Sequence, residues 1–171
     1  MGLDITAYSK VEKMAELPLN KRGIDWERAC ELEETFGAVL VRNDHFPTHC
    51  EDLDEAVYKV NGESYGFRAG SYSGYNRFRN LLSAFANTME GQSEDLPFYK
   101  LIHFSDCGGC IGPRVSARLH KDFVENKEHF LKFAANYAAG DKLELGWIED
   151  CYLDWTRAFE LAKDHGFVHF H

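Results

Sequence analysis

With 171 residues, 44% of them hydrophobic and 14% aromatic, and only four prolines, the chain can bury a core without covalent staples and is too apolar to stay disordered. Its formal net charge of -9 excludes non-specific binding along a nucleic-acid backbone, which draws on a basic surface. There is no run of about 18 apolar residues and no charged leader before an apolar stretch, so neither a membrane segment nor secretion is expected; five irregularly spaced cysteines fit reduced thiols in a cytoplasm better than a disulfide framework.

Leu3, Ile5 and Ala7 alternate with Asp4, Thr6 and Tyr8, the period of a half-buried strand. After a turn at residues 18–20, Asp25 stands where it can cap a helix carrying Trp26, Ala29, Cys30, Glu33 and Phe36 on one stripe and ending at Gly37. Residues 38–41 are apolar and β-branched, which favours a strand. A loop with His45, His49 and Cys50 then leads into the acidic run Glu51-Asp52-Leu53-Asp54-Glu55, expected to be a solvated face.

Asn61-Gly62 separates two strand-like runs, residues 56–60 and 63–68, and both residues tolerate positive φ, so a type I′ hairpin is expected to deliver Arg68 to a sheet edge. Residues 69–74 are expected to form a glycine-rich loop. Ser71 or Ser73 then caps a helix whose buried stripe is Tyr75, Phe78, Leu81, Leu82 and Phe85. Residues 87–97 read as a surface loop and residues 99–104 as a strand entering a second glycine turn. Pro113 opens the next helix, where its missing N–H costs nothing, with Val115, Leu119 and Phe123 on one face. Phe130, Phe133, Ala134 and Tyr137 continue the pattern to Gly140. A last helix over 148–163 has Ile148, Tyr152, Trp155, Phe159 and Ala162 on its stripe and Gly166 as its cap. Residues 167–171 alternate like a strand. The pattern predicts one α+β domain over residues 1–171, a mostly antiparallel sheet with helices packed on one face.

Charge is uneven along the chain: residues 25–55 sum to -8 and residues 66–121 to +3, so the middle could hold a small anion that the whole chain would repel. There, Ser71, Ser73, Tyr75 and Asn76 lie at a helix start, where free N–H groups and the helix dipole favour a phosphate or carboxylate. Arg68 and Arg77 could clamp it. The second turn adds Ser105 and Arg114. Against this stands the plainer account of a tight loop, a capped helix and solvated arginines, since no dinucleotide or P-loop pattern is present. Asp106 and Cys107 could act as base or nucleophile ahead of a helix, although Asp106 also suits a turn. Cys107 and Cys110 have CxxC spacing, but no second CxxC or HxxxH accompanies them, so neither a metal nor another cofactor is expected. His169 and His171 are two apart, hence on one face of a strand, and could share a phosphate or a metal; an exposed, frayed strand edge is the alternative.

The blocks at 1–8, 65–76 and 104–107, Ile111-Gly112-Pro113 and the closing Phe170-His171 resemble an uncharacterised family of small proteins of tailed bacteriophages and prophages. The family pattern has Cys-Glu-Gly where this chain has Cys107-Gly108-Gly109, and no cysteine at the place of Cys110. The resemblance implies a phage or prophage origin and carries no activity with it. Three function classes follow: a protein that binds a small anion such as a nucleotide; a small hydrolase or transferase using Asp106, Cys107 or His169; and an acidic module that binds a host protein.

Overall fold

The computed structural model describes residues 2–42, 46–104 and 108–171. Ser105, Asp106 and Cys107, and likewise His45, lie outside the described residues. A four-stranded antiparallel sheet in the order β7-β1-β9-β8 joins β1 (Gly2–Tyr8), β7 (Ser64–Ser71), β8 (Gly109–Ile111) and β9 (Phe167–Phe170). A second sheet, β2-β6-β5, holds β2 (Val11–Glu16), β5 (Ala38–Val41) and β6 (Ala56–Val60), and β3 (Leu19–Asn20) pairs with β4 (Gly23–Ile24). Six helices complete the described chain: α1 (Trp26–Phe36), α2 (Tyr72–Ala86), α3 (Tyr99–Ile102), α4 (Pro113–Glu125), α5 (Lys127–Tyr137) and α6 (Lys142–Ala162). This is the expected α+β class, with antiparallel sheets. Among the described residues no helix is long and apolar enough to cross a membrane.

Helices α2, α4 and α6 bury their expected stripes in the core against the inner face of the first sheet, and α5 adds Phe130 and Ala134 while Tyr137 of its expected stripe is exposed. Tyr75, Phe78, Leu82, Leu119, Phe123, Phe130, Tyr152, Trp155 and Phe159 join Leu3, Ile5, Val168 and Phe170 in one core. Aromatic rings dominate it: Trp155 lies 5.5 Å from both Phe159 and Phe170. The Tyr152 hydroxyl donates to the Phe123 carbonyl at 2.6 Å, so its polar atom is satisfied inside the core.

Asn61-Gly62 does not make a hairpin. β6 pairs with β2 and β5, and β7 pairs with β1; neither Asn61 nor Gly62 has positive φ. The paired chains instead run on together from one sheet to the next. The last β1/β7 pair is Tyr8 with Ser64 and the first β2/β6 pair is Val11 with Val60. Between them Ser9 N donates to Glu63 O at 3.0 Å, Asn61 N to Lys10 O at 3.1 Å, and Glu63 N to Ser9 Oγ at 2.9 Å. A Cβ on Gly62 would stand 2.6 Å from the Ser9 carbonyl oxygen, so the glycine serves close backbone approach, not a left-handed turn. Positive φ falls on Lys10 (52°).

Four further expectations change. Residues 99–102 form a helical turn, not a strand. In α1, Asp25 and Gly37 cap as expected, but the buried residues are Ala29 and Leu32 while Trp26 and Phe36 are more than half exposed. The second sheet offers α1 only a narrow strip around Ala38 and Val57. Gly166 is not the left-handed cap, which is His165 at φ 51°; it is a glycine because a Cβ there would overlap the Tyr8 carbonyl. Strand β9 is no frayed edge, because it lies between β1 and β8.

Candidate functional site

Alternation along β1 turns Leu3, Ile5 and Ala7 into the core and leaves Asp4, Thr6 and Tyr8 on the outer face. Register then fixes their neighbours. Arg68 stands across from Asp4; Gly66 and His169 flank Thr6; Cys110 follows His169. Asp4 and His171 exchange both backbone hydrogen bonds, at 2.9 and 3.0 Å, so the ladder continues one residue past β9. Two adjacent rows result, Arg68-Asp4-His171 and Gly66-Thr6-His169-Cys110. Neighbouring strands are about 4.8 Å apart, so each row is within reach of one small molecule.

The imidazoles of His169 and His171 stack with centroids 5.1 Å apart and planes 24° apart. Thr6 Oγ1 lies 3.0 Å from His171 Nε2. Burial, helped by the neighbouring His171, lowers the His169 pKa to about 4, so this ring is neutral at pH 7. Arg68 is exposed and its guanidinium rests on the backbone of Gly2, where a Cβ would collide with Nη2, Nε and Cζ. Among the described residues no carboxylate pairs with Arg68.

The glycine-rich stretch after Arg68 is not a loop. β7 continues to Ser71, and α2 begins at Tyr72. The register shifts between Leu3 and Asp4, leaving Ala69 as the extra residue of a β-bulge, with Gly70 at φ 102°. The bulge turns Ala69 into the core at 7% exposure. Ser71 is the N-cap: its Oγ accepts from Gly74 N at 3.1 Å and lies 2.8 Å from Ser73 Oγ. Since Ser71 pairs with Gly2, the N-terminus of α2 and the Arg68 guanidinium meet at the same sheet edge.

The other expected residues are distributed elsewhere. Ser73, Asn76 and Arg77 line a groove of about 500 Å³ along α2, with Asn80 and Tyr137. There Arg77 is ion-paired with Glu144 and lies 4.9 Å from the Trp147 ring centroid, so its charge is already balanced. Tyr75 is fully buried, with Arg79 4.6 Å over its ring. Arg79 also donates to Asn76 Oδ1 and to the Phe104 carbonyl. Arg114 is paired with Glu51, and its N–H donates to Asp52 at 2.6 Å, so the acidic run caps α4 as well as facing solvent. Arg68, Ser71, His169 and His171 are therefore brought to one face and edge, and Arg77 and Arg114 are not. Asp4 and Thr6 are the residues that sequence reasoning missed. Their signal was the polar half of the β1 alternation; what it lacked was the pairing of β1 with β7 and β9.

His49 is a further buried polar residue. His49 Nε2 is 3.0 Å from the Lys100 carbonyl, which can only accept, so the proton is on Nε2. Burial lowers its pKa to about 4. Among the described residues no group of three or more His, Cys, Asp or Glu side chains could hold a metal ion.

No family model, no curated protein and no solved structure matches the chain.

Proposed function

We propose that the protein binds a small anionic molecule, a phosphate or a nucleotide, on the outer face of the four-stranded sheet beside the N-terminus of α2. The observation that carries the reading is Arg68: an exposed guanidinium with no carboxylate partner among the described residues, laid over Gly2 next to the Ser71 cap. An unneutralised fork of N–H donors beside a positive helix end favours a phosphate. Asp4, between Arg68 and His171, would repel a bare anion and accept from a hydroxyl or amino group, which favours a nucleotide over inorganic phosphate. A phage or prophage accessory role in the bacterial cytoplasm rests on the sequence blocks that resemble that family.

The test is calorimetric titration with nucleoside mono- and triphosphates and with inorganic phosphate. Arg68→Ala should weaken binding about 10- to 100-fold, the worth of a charge-assisted hydrogen bond, while the circular dichroism spectrum is unchanged because Arg68 is exposed. No heat and no thermal shift with any of these ligands overturns the reading.

One observation favours a second reading, a hydrolase or transferase acting on such a ligand. His169 is neutral at pH 7 and stacked on His171, so it can accept a proton next to the anion site. Turnover of a nucleotide that is lost in His169→Gln while binding persists would select it over simple binding.

A further inference from the structure

We propose that Cys50 and Cys110 are a modification site, a thiol pair that a small disulfide such as oxidised glutathione converts to an intramolecular disulfide. Their Sγ atoms are 3.5 Å apart, although the residues are separated by 60 positions. Neither is in a disulfide and both are buried, at 0% and 3% exposure, in a small cluster with Val41, Ala56, Tyr58 and Phe167; the Cys110 thiol also donates to the Arg42 carbonyl at 3.2 Å. A disulfide needs about 2.05 Å, a closure that small χ1 rotations of two short side chains can supply.

The backbones on either side are already fixed at this distance by other bonds. Gly112 N donates to His49 O at 2.8 Å, one residue from Cys50 and two from Cys110. Arg114 N is held by Asp52. Gly112 has no side chain where a Cβ would stand 3.2 Å from both Cα and Sγ of Cys50, and this lets the Cys50 segment lie directly on the strand that carries Cys110. Cys110 in turn is the cross-strand neighbour of His169, so the bond would anchor the row that carries the buried histidine.

The reaction balances as a double exchange. One protein thiolate, Cys110 being the less buried, attacks a glutathione disulfide sulfur, forming a mixed disulfide and releasing one glutathione thiol. The Cys50 thiolate then attacks the protein sulfur of that mixed disulfide and displaces the second glutathione thiol. The protein loses two hydrogens and two electrons; one oxidised glutathione becomes two reduced. Because both thiols are buried, the first step proceeds through local opening of residues 46–53 and is slow compared with an exposed thiol.

The test equilibrates the full chain with glutathione buffers of rising oxidised fraction, then traps free thiols by alkylation in acid denaturant for intact mass and peptide mapping. The expected product is about 2 Da lighter than the reduced protein, links the Cys50 and Cys110 peptides and forms unchanged in Cys107→Ser. A closed loop of this length should raise the thermal midpoint by about 5–15 °C. Recovery of all five cysteines alkylated, a stable glutathione adduct, or a link through Cys30, Cys107 or Cys151 overturns the proposal. The peptide map of the unsubstituted protein decides by itself, so poor folding of Cys50→Ser or Cys110→Ser would not leave the question open.

Discussion

On its inner face the four-stranded sheet sets Leu3, Ile5, Ala7, Val168 and Phe170 against helices, each at 1% exposure or less. On its outer face the residues between them, Asp4, Thr6 and His169, with Arg68 and His171 alongside, present carboxylate, hydroxyl, imidazole and guanidinium groups. The same strands make both faces because side chains alternate with period two. The inner face supplies stability through burial. On the outer face Asp4, Arg68 and His171 are exposed and available for chemistry, while the Thr6 row runs into the buried cluster at Cys110.

The largest expected effect breaks the inner face. Phe170 touches Trp155, Phe104 and Tyr75 through ring contacts of 5.5, 4.6 and 6.2 Å. Phe170→Ala should cost about 3–5 kcal/mol, from lost transfer energy and the cavity left behind, read as a shift of the urea midpoint. Its outer-face counterpart Arg68→Ala should move stability by less than about 0.5 kcal/mol. If the two variants were equally destabilised, the division of labour between the faces would be wrong.

A smaller effect sharpens the comparison where the faces blur, at His169, an outer-face residue that is nonetheless shielded. Its pKa is about 4 in the folded protein against 6.5 for an ordinary histidine, and His49 shows the same value. As pH falls from 6.5 toward 4, the unfolded chain takes up a proton at each ring that the folded chain refuses. Stability is therefore full above pH 6.5 and falls by up to about 1.4 kcal/mol per pH unit for each histidine until pH 4. His169→Gln should reduce that slope, measured by urea denaturation at a series of pH values. An unchanged slope would mean that the ring is open to water.

The inner face was legible in the sequence and the outer face only in part, for a physical reason. Helix stripes such as Tyr75, Phe78, Leu82 and Phe85 and the alternation of β1 are set by local periodicity, which one chain segment displays by itself. Pairing is set by register between distant segments. Thus Arg68 was found as a candidate but its neighbour Asp4 was not, because Asp4↔Arg68 and Thr6↔His169 join residues far apart in the chain. Asn61-Gly62 shows the converse failure: the same dipeptide that favours a hairpin also permits the tight backbone crossing beside Ser9. Residues 99–104 misled through a short apolar run, too short for its period to separate strand from helix. The exposed rings of Trp26 and Phe36 show that a stripe is buried only as far as its partner surface extends.

The smallest effect tests the edge where the two faces meet. Ser71 and Ser73 were equal candidates for the cap of α2, and their hydroxyls touch at 2.8 Å. Only Ser71 Oγ accepts a helix N–H, that of Gly74, so only its removal leaves that donor without a protein partner. Ser71→Ala should cost about 1 kcal/mol and Ser73→Ala a few tenths, by denaturation at pH 7. For ligand binding the order should be different. With the donor at Gly74 released and Arg68 unchanged, Ser71→Ala would free an N–H at the helix end for an anion, so its affinity should fall less than that of Arg68→Ala. Equal losses of affinity and stability in Ser71→Ala and Ser73→Ala would show that the cap is shared between the two hydroxyls, and that the helix end is not held in one arrangement beside Arg68.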